Sequence, residues 1–327
     1  MPLLDLQNLR MYYSLGDKWV KAIDGVSLSI ARGETLGIVG ESGCGKTSIM
    51  YTILRILPEN ARIMEGGILF DGADLTKIPE DAMRQIRWRR ISAIFQNAMN
   101  ALNPVFRVGD QIIEVLTVHK NLSKQAARAK VRDLFELVGL SDAHMNNYPH
   151  EFSGGMKQRA IIAMSLACDP DLIIADEPVT ALDVVVQDQI LWEIRNMQES
   201  RNVAMIIISH DISVIAETCD SVAVMYGGRI LEFGSSTSVF HDPRHPYTIG
   251  LLASFPSLKG QKRKLVSIEG VPPDLVNPPS GCLFAPRCPF AKPVCATRPP
   301  RTTIDGQHFS ECHFARDPQI QTIRFGG

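Results

Sequence analysis

The chain has 327 residues, of which 45% are hydrophobic and 21% charged, enough for about two globular domains with a sizeable core. Its 34 basic and 35 acidic residues leave a net charge of -1 and are mixed throughout, which excludes the basic footprint of extended nucleic-acid binding and a polybasic membrane patch. Apolar runs such as Ala160 to Cys168 and Val203 to Ile208 fall far short of the roughly 18 to 20 residues that span a bilayer. Met1-Pro2-Leu3-Leu4-Asp5 lacks the basic start and apolar stretch of a signal peptide, so a cytoplasmic protein is expected.

In chain order, short strands are expected over Leu3 to Leu9, Gly25 to Ile30 and Thr35 to Val39, with a hairpin turn at Leu15-Gly16-Asp17-Lys18. A glycine-rich stretch leads into a helix from Ser48 to Leu57 that stops at Pro58. Strands follow at Gly66 to Gly72 and Ile91 to Phe95. Between about Gln96 and Glu151 the periodicity turns helical, with Ile112, Ile113 and Leu116 on one face, then Val131, Leu134, Phe135 and Val138 behind an N-cap at Ser123. A helix from Gly155 to Cys168, a strand Leu172 to Ala175, a helix Val184 to Glu199 and a strand Val203 to Ser209 then alternate, which implies a parallel sheet covered on both faces. Gly227-Gly228 joins two further strands. Beyond Ala253 the chain becomes proline-rich and irregular, so the expected division is residues 1–253, with a helical insertion at about 96–151, and residues 254–327.

Gly40-Glu41-Ser42-Gly43-Cys44-Gly45-Lys46-Thr47 follows the apolar run Leu36-Gly37-Ile38-Val39 and opens a helix. The spacing G-x-x-x-x-G-K-T in that setting is a phosphate-binding loop: inward backbone amides and a helix N-terminus hold an anion, Lys46 reaches the β- and γ-phosphates, and Thr47 holds a magnesium ion. The plain alternative is a glycine-rich turn. Leu172 to Glu177 is an apolar strand ending in two carboxylates, which would deliver Asp176 towards magnesium and Glu177 towards an attacking water; alone, such a pair is as often structural. Phe152-Ser153-Gly154-Gly155 starts a helix with a capping serine and open amides, either a capped helix or a second anion site. One phosphate loop with a second phosphate site points to two subunits that sandwich the nucleotide.

In this order the motifs resemble the ATP-binding-cassette (ABC) ATPase family over residues 3 to about 240. GESGCGKT is similar to its phosphate loop, Phe95-Gln96 to its glutamine loop, FSGGMKQR to its signature motif and IIADEP to its second nucleotide motif. Ala181-Leu182-Asp183 resembles the D-loop and Ser209-His210-Asp211 the switch histidine. The resemblance implies an α/β fold: an ABC-type nucleotide-binding domain with a RecA-like core, an antiparallel β subdomain and a helical insertion, plus a small irregular C-terminal domain. It implies ATP hydrolysis with Glu177 as general base, Gln96 on magnesium and water, and His210 sensing the γ-phosphate. ATP binding falls to Gly40, Ser42, Gly43, Cys44, Gly45, Lys46, Thr47 and Ser48, with magnesium on Thr47, Gln96 and Asp176. Ser153 and Gly155 would contact ATP held by the opposite subunit, and Asp183 would communicate across the dimer. Tyr13 is the expected adenine stacker, with Tyr12 as the alternative. The signature carries Phe152 for the commoner leucine and Met156 for glutamine, which leaves the serine and both glycines intact.

Met99-Asn100-Ala101-Leu102-Asn103-Pro104 and His245-Pro246-Tyr247-Thr248 resemble the dipeptide and oligopeptide importer branch, which also includes nickel importers. That implies a second ATPase subunit, membrane permease subunits, an extracytoplasmic peptide-binding protein, and a place at the cytoplasmic face of the membrane. A soluble redox-regulated ATPase not coupled to transport is the alternative of a different class. In the tail, Cys282, Cys288, Cys295 and Cys312 are separated by five, six and sixteen residues, without the C-x-x-C knuckles of a zinc ribbon. Four thiolates on wide loops suit an iron-sulfur cluster, with zinc or unliganded or disulfide-bonded thiols as alternatives, and His308 and His313 as spare ligands. In some peptide-importer ATPases the tail carries a four-iron cluster on such a set. Cys44, Cys168 and Cys219 read as packing residues.

Overall fold

In a computed structural model of the chain, residues 1–96, 100–179, 183–254 and 267–323 are described. The strands are β1 (Leu4–Leu15), β2 (Lys18–Ile30), β3 (Thr35–Val39), β4 (Ala61–Phe70), β5 (Ala73–Asp74), β6 (Ile91–Ile94), β7 (Leu172–Asp176), β8 (Ala204–Ile208), β9 (Ser221–Tyr226), β10 (Arg229–Ser235), β11 (Thr302–Asp305) and β12 (His308–Ser310). The helices are α1 (Lys46–Leu54), α2 (Glu80–Ile86), α3 (Val108–Lys120), α4 (Lys124–Leu137), α5 (Gly154–Leu166), α6 (Val184–Arg201), α7 (Ile212–Thr218), α8 (Ser236–His241) and α9 (Pro246–Ala253). Two compact units account for them: Met1–Leu3, Ile30–Thr35 and Ala73–Ile208 in the first, Leu4–Ser29, Leu36–Gly72 and Ser209–Gly327 in the second.

In the first unit β6, β7 and β8 run parallel, with Ile94 opposite Ala175 and Ala175 opposite Ile207. Every residue of β7 and β8 is buried, which explains their unbroken apolar runs: helices cover both faces of a parallel sheet, so neither face tolerates alternation. The helical insertion is present as expected. Ser123 caps α4 by accepting from the Ala126 amide at 3.3 Å, and Ala127, Val131, Leu134 and Phe135 bury one stripe of that helix. α3 buries Val108, Ile112 and Leu116.

In the second unit β2, β1 and β4 lie side by side, and β1 pairs antiparallel with β4 with Leu4 opposite Phe70. A second group runs in the order β11, β12, β10, β9, β3, where β3 and β9 are parallel and the rest antiparallel. The chain past residue 266 is therefore tied to this unit by strand pairing, Glu232 opposite Ser310 and Phe233 opposite Phe309. Buried Glu232 fixes the junction: its carboxylate accepts from the Arg244 amide, the His245 amide at 3.0 Å and His308 Nε2 at 2.9 Å.

β1 and β2 are longer than the sequence suggested, running through polar Arg10, Tyr12 and Asp24. Asp24 is what allows this. Its carboxylate takes Tyr12 Oη at 2.9 Å and Arg229 Nε at 3.0 Å and lies 3.7 Å from Arg10 Nε, so the polar side chains of that strand face converge on one buried charge. α1 starts two residues earlier than expected and ends three earlier, where Arg55 turns left-handed at φ 51°.

Candidate functional site

The phosphate loop sits in the second unit between β3 and α1. Gly45 caps α1 at φ +106°, and a β-carbon there would stand 2.1 Å from the Ala22 carbonyl oxygen; Gly40 is equally constrained by the Met225 carbonyl at 2.1 Å. Only glycine fits both positions. Lys46 is 7% exposed, and its Nζ donates to the carbonyls of Gly40 at 2.7 Å and Glu41 at 3.0 Å, which aims the ammonium back across the loop. Ser42 and Gly43 are exposed, while Thr47 and Ser48 are half-buried at the start of α1. Cys44 is buried, and burial raises its thiol. Cys168 and Cys219 are likewise buried.

The two tyrosines part company. Tyr13 Oη lies 3.1 Å from Ser48 Oγ, one residue beyond Thr47, which puts its ring beside the loop. Tyr12 is committed to Asp24, and burial followed by that bond pushes its hydroxyl up to about 12. Also in this unit, Asp211 caps α7 by accepting from Ser213 N at 2.9 Å, leaving the preceding His210 exposed.

In the first unit β7 ends in Asp176, 1% exposed, and Glu177 follows with a left-handed backbone at φ +52°. The Glu177 amide donates to the Ile208 carbonyl at 2.8 Å, which locks that turn, and Gln96 Nε2 donates to Glu177 Oε2 at 3.0 Å. The structure thus brings together two residues 81 positions apart that the sequence placed in one reaction. Ser153 caps α5, accepting from Met156 N at 3.2 Å, and a β-carbon on Gly155 would come within 2.8 Å of Val186. Asp183 caps α6 through Val186 N at 3.0 Å; Ala181 and Leu182 of the D-loop, and Met99 of the branch motif, lie outside the described residues.

The four tail cysteines line one small cavity of about 10 Å³, together with His245, Phe284, Phe290, His313 and Phe314. All four are free thiols, which sets aside the disulfide alternative. Burial, then neighbouring thiolates, pushes Cys288 up to about 11; burial, and then chiefly its three sister cysteines, pushes Cys312 up to about 12. Among the described residues no group of three or more His, Cys, Asp or Glu side chains is gathered closely enough to hold a metal ion, which counts against the expected iron-sulfur cluster and zinc alike and leaves the cavity as a ring of thiols. Of the spare ligands, His313 lines the cavity and gives its Nε2 to the Thr297 carbonyl at 3.1 Å, whereas His308 is turned away to Glu232.

One set of contacts among three residues escaped the sequence reading. Arg287, next to Cys288, grips Glu41 of the phosphate loop with Nη1 at 2.6 Å and Nη2 at 2.9 Å, and Tyr247 Oη accepts from the Glu41 amide at 2.9 Å. Arg287 and Glu41 are 246 positions apart, and no local pattern announces such a pair.

Comparison with known proteins fits this arrangement. Residues 23–180 match the ABC transporter family model, and residues 231–295 match the oligopeptide/dipeptide transporter C-terminal region. The dipeptide transport ATP-binding protein DppD of Bacillus subtilis is 47% identical over 304 residues, 92% of this chain and 91% of that protein. The chain belongs to the ABC transporter family. The oligopeptide transport ATP-binding protein OppD of Escherichia coli is 45% identical over 300 residues, covering 91% of this chain and 89% of its own. Among solved structures, the dimeric cassette MJ0796 in a post-hydrolysis state with ADP and Pi aligns at a TM-score of 0.64 and 25% identity, over 71% of this chain and 98% of that one. The CbiO1 subunit of a Clostridium perfringens ABC transporter aligns at 0.64 and 28% identity, over 74% and 91%. The chain is an ABC-type ATPase, and no helix among its described residues is long and apolar enough to cross a membrane.

Proposed function

We propose that this chain hydrolyses ATP to power the import of di- or oligopeptides through a membrane transporter to which it binds peripherally, on the cytoplasmic face. The observation that carries the substrate class is the C-terminal match at residues 231–295, present together with the ATPase motifs in a chain similar over nine-tenths of its length to dipeptide and oligopeptide transport proteins. Its partners are a second ATPase subunit, the permeases, and through them a peptide-binding protein outside the membrane.

In this reading the loop amides of Gly40, Ser42, Gly43, Cys44 and Gly45 and the Lys46 ammonium take the β- and γ-phosphates, and the Tyr13 ring stacks on adenine. Glu177 accepts the proton of a water that Gln96 holds, and His210 meets the γ-phosphate. Thr47, Gln96 and Asp176 offer the oxygen ligands that suit a hard dication, and magnesium, when bound there, neutralises phosphate charge. Ser153 and Gly155 face ATP held by the partner subunit. Because the Asp183 carboxylate is occupied in capping α6, its signal across the dimer passes through that helix. Closure then depends on the nucleotide binding the closed dimer better than the open one.

For the tail we place an iron-sulfur cluster on Cys282, Cys288, Cys295 and Cys312. That reading rests on donor chemistry alone: the four cysteines are free thiols that line one cavity, and soft sulfur ligands favour iron-sulfur centres, while their present spacing is not that of a formed metal site. When bound, the cluster supplies a cross-link among three loops that have little regular structure.

The decisive experiment reconstitutes the chain with the membrane subunits that co-purify with it and follows ATP-dependent uptake of labelled di- and tripeptides. Peptide uptake is expected. Nickel uptake without peptide uptake would reject the substrate class, and ATP turnover with no membrane partner in the co-purified material would reject transport.

A further inference from the structure

We propose that Arg287 is a positioning residue for the ATP-binding loop: its guanidinium clamps the Glu41 carboxylate, which fixes the loop and cancels a negative charge that would oppose the phosphates. The proposal rests on Gly40 to Thr47 being the nucleotide loop and is independent of what occupies the cysteine cavity.

Glu41 is the second residue of the loop, and its three handles are all held. The amide donates to Tyr247 Oη, the carbonyl accepts from Lys46 Nζ at 3.0 Å, and the carboxylate takes both prongs of Arg287. The Arg287 side chain is 5% exposed and that of Glu41 24%, so the guanidinium is shielded from solvent and the pair is only partly screened. Every guanidinium proton is used: Nε donates to the Glu269 carbonyl at 2.9 Å, Nη1 also reaches Tyr226 Oη at 3.3 Å, and Nη2 also reaches the Ile268 carbonyl at 3.1 Å. The planar fork is therefore set before it meets Glu41, as a bidentate pair requires. A carboxylate inside a loop built to cradle a polyanion is otherwise unfavourable, because like charges a few ångströms apart repel most strongly where water is excluded. The tail supplies the compensating charge, which makes it a working part of the nucleotide site.

The test compares MgATP and MgADP affinity, by equilibrium binding to the full-length chain, in R287Q, E41Q and E41Q/R287Q. R287Q should bind about tenfold more weakly, the scale of one lost charge-assisted contact. E41Q, which removes the unfavourable carboxylate together with the pair, should stay within about threefold of the parent. The double variant should recover most of what R287Q loses, because no carboxylate is left to compensate. In the transporter complex, R287Q should raise the KM for ATP and leave kcat nearly unchanged. Parent-like affinity in R287Q overturns the proposal, and so does a double variant as weak as R287Q, since a merely structural arginine that holds the 268–269 segment gives that result. If R287Q does not fold, R287K keeps the charge without the full fork, and R287K against E41Q/R287K makes the same comparison. Loss of all nucleotide binding in the parent chain would instead reject the nucleotide loop itself, a separate failure.

Discussion

Gln96 Nε2 donates to Glu177 Oε2 at 3.0 Å, joining the residue just after β6 to the one just after β7. The contact holds one carboxylate oxygen of Glu177 beside the amide that the proposed reaction needs. If Glu177 is the general base, E177Q should bind ATP with near-parent affinity while kcat falls by roughly 100- to 10,000-fold, the usual contribution of a positioned base. Phosphate release under saturating ATP measures this, and sedimentation should show a persistent ATP-bound dimer. Parent-like turnover would falsify the assignment.

Tyr12 and Tyr13 should separate cleanly by what they damage. Y13A should weaken ATP about three- to tenfold, the value of an aromatic stack, with Y13F close to the parent because the ring stays. Y12F should instead leave ATP affinity alone and lower stability by about 1 kcal/mol, since it removes the bond to Asp24. Fluorescent-nucleotide titration together with thermal melting distinguishes the two, and a binding defect confined to Y12F would reverse the roles.

What the sequence disclosed and what it hid follow one physical line. The phosphate loop, the β7 carboxylates and the α5 cap were legible because each is local: glycines at fixed spacing, an apolar strand ending in acids, a serine before two glycines. The length of β1 and β2 was not, because Arg10, Tyr12 and Asp24 read as loop residues until Arg229, 205 positions from Asp24, completes their network. The same holds for Arg287 and Glu41. The proline-rich tail looked irregular because its order comes from the β10–β12 pairing and from the cavity, neither of which leaves a period in the chain.

Asp24 carries a pH signature. Burial alone would raise its carboxyl, but the hydrogen bond and charge of Arg229, with help from Tyr12 and Arg10, hold it below the ordinary 3.8. A carboxyl depressed on folding stabilises the fold above its unfolded value, and that contribution disappears as pH falls through the lower folded value. Relative to D24N, the parent should therefore be more stable by about 2 kcal/mol at neutral pH, with the gap closing below about pH 4. Urea unfolding of both proteins from pH 7 to pH 3 tests it; a constant gap would mean that Asp24 acts only through shape.

The cysteine cavity and the strand pairing hold different parts of the tail, so removing the proposed cluster should loosen one and spare the other. Anaerobically purified protein should contain iron and acid-labile sulfide, and C312S should lose both, because Cys312 is the buried member of the four. Loss of the cluster should lower the thermal midpoint by about 5 °C. Hydrogen exchange should rise around Gly281 to Ala296, whose backbone bonds include Cys282 N to Cys295 O at 2.9 Å, within the cysteine loops themselves. It should rise little in β12, which is pinned to β10 and through His308 to Glu232, independently of any sulfur ligand. Zinc without sulfide, or equal protection of the cysteine loops in parent and C312S, would show that the thiols line the cavity without holding a cluster.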